Sequence, residues 1–200
     1  MATSRIKTSS ILQGFPKSRS LLAGNAGYDP AATWLIQRVA GTGSSGTITF
    51  SSIPQNYKHL QIRYQVFNTG SNTDYNDIRL RFNSDSGSNY ARHELQGSDN
   101  TVSAFGVAST QQIFAGISNY GTSTTNPMVG IIDIHDYQSS TKNKTVRILS
   151  GVDRNALTGS GITLRSGLWM NTAAITSIDL ILTGNSYTTT STIALYGMVG

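Results

Sequence analysis

The strongest constraint on this chain is an apolar period of two that keeps restarting. In KHLQIRYQVF (58–67), Leu60, Ile62, Tyr64 and Val66 fall on one side and Gln61, Arg63 and Gln65 on the other. DIRLRF (77–82) sets Ile78, Leu80 and Phe82 against Arg79 and Arg81, and KTVRIL (144–149) sets Val146 and Ile148 around Arg147. TSIDLIL (176–182) places Ile178, Leu180 and Leu182 together. Alternation of this kind, over about 4–8 residues, marks a half-buried strand. Further strands are predicted in WLIQRVA (34–40), GTITFSSI (46–53), NYARHELQ (89–96), QQIFAGIS (111–118), MVGIIDIHDY (128–137), GITLRSGLW (161–169) and STIALYGMV (191–199). Between them lies turn material: Asn72-Thr73-Asp74, Ser84-Asp85-Ser86-Gly87, Ser139 to Asn143 and Gly159 to Gly161.

Ten or eleven short strands without an intervening helical stretch predict an all-β, antiparallel β-sandwich, most simply jelly-roll-like. No internal repeat supports a propeller or solenoid. Ser and Thr supply 50 of the 200 residues and Gly another 20, a composition that favours strands and turns over helix interiors. The last predicted strand ties the C-terminal residues into the sheet.

Residues 1–33 read differently. Residues 1–30 show no clean period of 2 or 3.6 and contain Gly14, Pro16, Gly24, Gly27 and Pro30, so an extended N-terminal arm over 1–33 is expected ahead of a sandwich over 34–200. Residues 1–40 hold Arg5, Lys7, Lys17, Arg19 and Arg38 against Asp29, a net of +4, while the other 160 carry 10 basic and 9 acidic groups. A body so close to neutral lacks the clustered Lys and Arg of a nucleic-acid binder. Within the arm, Ile11, Leu12, Phe15, Leu21 and Leu22 are suited to filling pockets on another protein, with Lys17 and Arg19 meeting an acidic rim there. The chain has no cysteine, which removes disulfides, thiolate metal sites and cysteine nucleophiles. No run approaches the ~18 apolar residues of a membrane-spanning helix, and the basic N-terminal stretch has no apolar core of a secretory signal.

Chemistry-bearing motifs are sparse. Asp133 and His135 share a strand face in DIHD, but two ligands without a third read as a solvent-facing stripe rather than a metal site. Asn83 to Asn89 spaces oxygen ligands as a calcium loop does, yet lacks the closing glutamate, so a turn is expected. No serine sits in a nucleophile elbow, and nothing selects a carboxylate pair for glycoside hydrolysis. Neither a cofactor, a bound metal nor an enzymatic activity is therefore predicted. Tyrosines in a Ser/Thr/Asn-rich setting suit sugar contact, because rings stack on sugar faces, and Tyr75, Tyr120 and Tyr187 fall in predicted loops. Trp169 reads as core or subunit interface.

Longer phrases carry a family resemblance. TITFSSIPQNYKHLQIR (47–63), RFNSDSGSNYARHELQG (81–97), IIDIHDYQSSTKNKTVRILSG (131–151), SGLWMNTAAITSIDLILTGN (166–185) and IALYGMVG (193–200) together resemble a module of virion structural proteins of tailed bacteriophages, particularly those of marine bacteria and cyanobacteria. RIKTSSILQGFPKSRSLLAGN (5–25) is similar to the N-terminal lead of such proteins. The resemblance implies a homotrimeric β-sandwich in the virion, assembled in the bacterial cytoplasm, and brings no catalytic residues with it. Two roles follow from it: a tail-fibre or baseplate protein whose arm docks on other virion proteins while the sandwich meets a host-surface glycan, or a decoration protein on the phage head. Neither role calls for nucleic acid or membrane insertion.

Overall fold

The computed structural model describes residues 33–70, 76–118, 125–155 and 159–199. It contains β1 (Thr33–Ala40), β2 (Thr47–Phe50), β3 (His59–Val66), β4 (Asn76–Phe82), β5 (Tyr90–Ser98) and β6 (Thr101–Thr110). These are followed by β7 (Ile113–Ser118), β8 (Met128–Ile134), β9 (Lys144–Val152), β10 (Gly161–Trp169), β11 (Ile178–Leu182) and β12 (Thr192–Met198). All eleven predicted strands are present. The addition is β6, a ten-residue strand reached from β5 through the two-residue turn Asp99-Asn100, with Asp99 in left-handed backbone (φ 53°).

Two antiparallel sheets form a sandwich. One has the order β1-β12-β3-β8-β9-β10-β5-β6 and the other β2-β11-β4-β7. Set aside the β5–β6 and β9–β10 hairpins, and the remaining eight strands cross between the sheets at every step in chain order except β4 to β7, which are neighbours in the smaller sheet. Their arrangement, β1-β12-β3-β8 over β2-β11-β4-β7, is that of a jelly roll. The hairpins widen the first sheet by four strands, and β7 packs over β9, β10 and β5.

The alternation in the sequence explains the core. Leu60, Ile62, Tyr64 and Val66 of β3 are buried, as are Ile78, Leu80 and Phe82 of β4, Val146 and Ile148 of β9, and Ile178, Leu180 and Leu182 of β11. Trp169 is buried too, its ring 5.5 Å from that of Phe82 and 6.4 Å from that of Tyr90. The Asn83–Asn89 segment is the expected turn. Asn83 and Ser84 take left-handed backbone (φ 51° and 54°), and the Asp85 N–H donates to the Phe82 carbonyl at 2.9 Å. Asp85 accepts from the Trp169 indole N–H at 2.8 Å, the Gly87 N–H at 2.8 Å and Asn89 at 3.0 Å. The Trp169 bond, aided by the other two, outweighs slight desolvation and holds this carboxyl below its ordinary range.

The connections β1–β2, β3–β4 and β11–β12 meet at one end of the sandwich. Gly43 N–H donates to Tyr187 O (2.8 Å), Tyr187 N–H to Ser45 O (3.0 Å) and Thr188 N–H to Phe67 O (3.1 Å). Tyr187 is the residue on which the three segments converge.

Candidate functional site

A sheet with one wet face places polar residues outward and apolar ones inward. The widened part of the large sheet reverses that rule. On β10 the inward residues include Thr163 and Arg165, both buried, while Ile162 and Leu164 point out and are 58% and 48% exposed. On β5 the inward Glu94 is buried and the outward Leu95 is half exposed.

The register turns these outward residues into two continuous rows. One runs Ile131–Leu149–Leu164–Leu95–Ala104 across β8, β9, β10, β5 and β6. The next runs Val129–Gly151–Ile162–Gly97–Val102 across the same strands. Every position is apolar or glycine. With strands about 4.8 Å apart the rows extend roughly 20 Å. A third row is polar: Asp133–Arg147–Ser166–His93–Gly106, with Asp133 and Arg147 paired at 3.2 Å. On β3, Gln61, Arg63 and Gln65 oppose Asp133, Ile131 and Val129 and complete a polar border. An apolar centre with a polar rim is the anatomy of a protein interface. Its apolar residues are contiguous rather than scattered singly.

Behind this face lies the charge that the rule would have put outside. Arg165 holds Glu94 by a hydrogen bond from Nη2 to Oε1 at 2.9 Å and by an ion pair, Nε to Oε2 at 2.8 Å. Arg92 stands 3.6 Å from the same carboxylate, and its guanidinium lies 3.6 Å over the Phe114 ring of β7. Arg79 lies 5.1 Å from that ring and 4.0 Å from Asp77. Burial pushes the Glu94 carboxyl up, but the hydrogen bond and charge of Arg165, with Arg92, bring it below its ordinary value. For Asp77 burial wins and raises the pKa against the pull of Arg79. The cations and carboxylates here engage one another and close the inner side of the widened sheet.

The DIHD motif follows a different logic. Asp133 accepts from Gln61 at 2.8 Å besides pairing with Arg147, and His135 stands against His59, ring centroids 5.0 Å apart. Asp136 is clasped by Lys58 at 2.7 Å and Lys142 at 3.0 Å; those two hydrogen bonds, against slight desolvation, bring its pKa down to about 2. Among the described residues no three His, Asp or Glu side chains gather as metal ligands.

Of the residues predicted to contact partners, Ile11, Leu12, Phe15, Lys17, Arg19, Leu21 and Leu22 lie outside the described residues, as do Tyr75 and Tyr120. Tyr187 requires a correction. It is fully buried, not exposed for sugar contact, because the loop that carries it is drawn inward by backbone bonds to β1–β2 and β3–β4. Sequence reasoning missed the apolar outer face. GIIDI carries a trace of it, with more apolar residues than a single-faced strand uses: Ile132 is buried and Ile131 faces out. Compared with family models, curated proteins and solved structures, the chain matches none.

Proposed function

We propose that this chain is a non-catalytic structural protein of a bacteriophage particle, associated with the tail fibre or baseplate. In this reading its N-terminal arm anchors it to other virion proteins, and the sandwich domains associate as a homotrimer that presents a host-binding surface. The single observation that carries an assembly role is the apolar outer face of the widened sheet, a surface that water alone does not suit. Support for the phage setting comes from the phrases at 47–63, 81–97, 131–151, 166–185 and 193–200 and their resemblance to virion structural modules. Tyr75 and Tyr120 are the proposed glycan-contacting side chains. Several weak glycan sites on one trimer would act together, since linking sites raises avidity without new contacts.

Immunogold labelling of intact particles tests this. Label on the tail is expected; label on the head would replace the tail role with capsid decoration, and unlabelled particles would refute the virion assignment. Deleting residues 1–30 is expected to leave a folded sandwich that no longer incorporates. Incorporation of the truncated chain would remove the arm as the anchor.

A further inference from the structure

We infer that the outer face of β8, β9, β10, β5 and β6 is the surface on which copies of this chain pack against one another. The inference rests on the homo-oligomer part of the proposed function and assigns it to named residues.

Three observations select a second copy as the occupant. The first is the reversed polarity of β5 and β10. Leu95, Ile162 and Leu164 are left in water while Glu94, Thr163 and Arg165 are buried, an arrangement that gains from an apolar cover on the outside.

The second is relief. Across the sheet the row Val129–Gly151–Ile162–Gly97–Val102 alternates large side chains with glycine. Neither glycine is among the positive-φ residues. At Gly97 an added Cβ would meet only the Ile162 Cγ2 at 3.5 Å, an ordinary contact, so packing within the chain does not require glycine there. Glycine weakens a strand, and in such a place it marks close approach from outside. A row of knobs and gaps is complementary to another copy of itself: the Ile162 of one copy enters the gap at Gly97 of its neighbour.

The third is area. The side chains of Val129, Ile131, Leu149, Ile162, Leu164, Leu95 and Val102 are each exposed by between 38% and 78%. At roughly 60–120 Å² per aliphatic side chain, they offer about 300 Å² per copy. Two such faces hide about 600 Å², the apolar share of an interface of roughly 1,000 Å², which reaches the size of a specific contact.

The test is multi-angle light scattering of the full chain and two variants. Leu164→Asp puts a charge at the centre of the face, at a position already half exposed, so the fold is kept. Gly97→Leu fills the gap with more apolar surface; it would strengthen unspecific stickiness but blocks interlocking. The wild type is expected at a multiple of 21.4 kDa, and both variants at 21.4 kDa with unchanged circular dichroism. Association should weaken by at least about 30-fold in each. Variants that keep the wild-type mass would overturn this face as the interface while leaving a homo-oligomer standing. Dissociation on deleting residues 1–32, with both face variants still assembled, would do the same and hand the contact to the N-terminal segment. A wild-type chain at 21.4 kDa would overturn both this inference and the homotrimer, whereas the virion assignment is read separately from particle labelling.

Discussion

Glu94 is the chain's one glutamate, and its replacement by Gln is the sharpest test of the inverted interior. The substitution keeps shape and removes one charge. Arg165 has a side-chain exposure of only 1%; Glu94 takes a hydrogen bond from its Nη2 and an ion-pair contact from its Nε, and neither Nε nor Nη1 finds a hydrogen-bond acceptor among the described residues. Without the carboxylate, Arg79, Arg92 and Arg165 face Asp77 alone. Leaving such a cation buried and uncompensated costs about 3–5 kcal/mol. In a domain of this size each kcal/mol moves the melting temperature by about 2–4 °C, so Glu94→Gln should melt roughly 6–20 °C lower at neutral pH. The double variant Glu94→Leu/Arg165→Met removes both charges and should recover most of the loss, because a buried pair is worth little more than well-packed apolar groups. The pH dependence follows from the sign of the shift. The folded carboxyl is depressed, so its stabilisation is fully present above the ordinary value of 4.5 and is lost as pH falls through the lower folded value. Glu94→Gln should therefore flatten the acid limb of the stability curve. Calorimetry between neutral and acid pH measures all of this. A single variant melting within about 2 °C of wild type, or a double variant losing the sum of the two singles, would refute the account of Arg165 as a cation held by Glu94.

Other positions give equally direct readouts. A Cβ on Gly130 would fall 2.2 Å from the Tyr64 ring, whose hydroxyl donates to Ala115 O at 2.6 Å; Gly130→Ala should cost about 1–3 kcal/mol in urea titration, and an unchanged midpoint would contradict the packing. The buried Tyr187 hydroxyl has no hydrogen-bond partner among the described residues. Tyr187→Phe should accordingly leave stability unchanged or raised by up to about 1 kcal/mol, and a marked loss would mean an acceptor is present. NMR titration should find the Asp136 carboxyl at about 2 at low salt, drifting upward as salt screens Lys58 and Lys142. Its small contribution is then present above its ordinary value of 3.8 and lost as pH falls towards 2, and titration near 3.8 at low salt would exclude the Lys58–Asp136–Lys142 clasp.

How far the fold was legible depends on how many faces of a strand meet a core. β3, β4, β9 and β11 bury one face in the sandwich, and their alternating residues announced them. β6 was silent because it is an edge strand whose residues are nearly all exposed, so TVSAFGVAST carries no contrast between its two sides. Strand order was not legible, since pairing of β12 with β1 and β3 rests on contacts far apart in sequence. The outer face was hidden for a related reason. Alternation in ITLRSGLW says that Leu164 and Arg165 point opposite ways, but not which of them points inward. Hydrophobicity favours Leu164 inside, and the structure places Arg165 there because Glu94 waits across the β5–β10 register. Tyr187 failed in the opposite direction: polar neighbours mark SYTTT as loop, and nothing local reveals that the loop folds inward.

The position of the last two strands bears on how the protein is made. β12 is the strand between β1 and β3, and β11 the one between β2 and β4. Until residues 178–198 leave the ribosome, each sheet lacks an interior member, and β1 and β2 have no neighbour to close upon. Folding must therefore wait for translation of this segment, with pairings that span most of the chain and are correspondingly slow. The same delay acts as a check on length: a prematurely terminated product leaves β1 and β2 without the strand each pairs with and the core beneath them open.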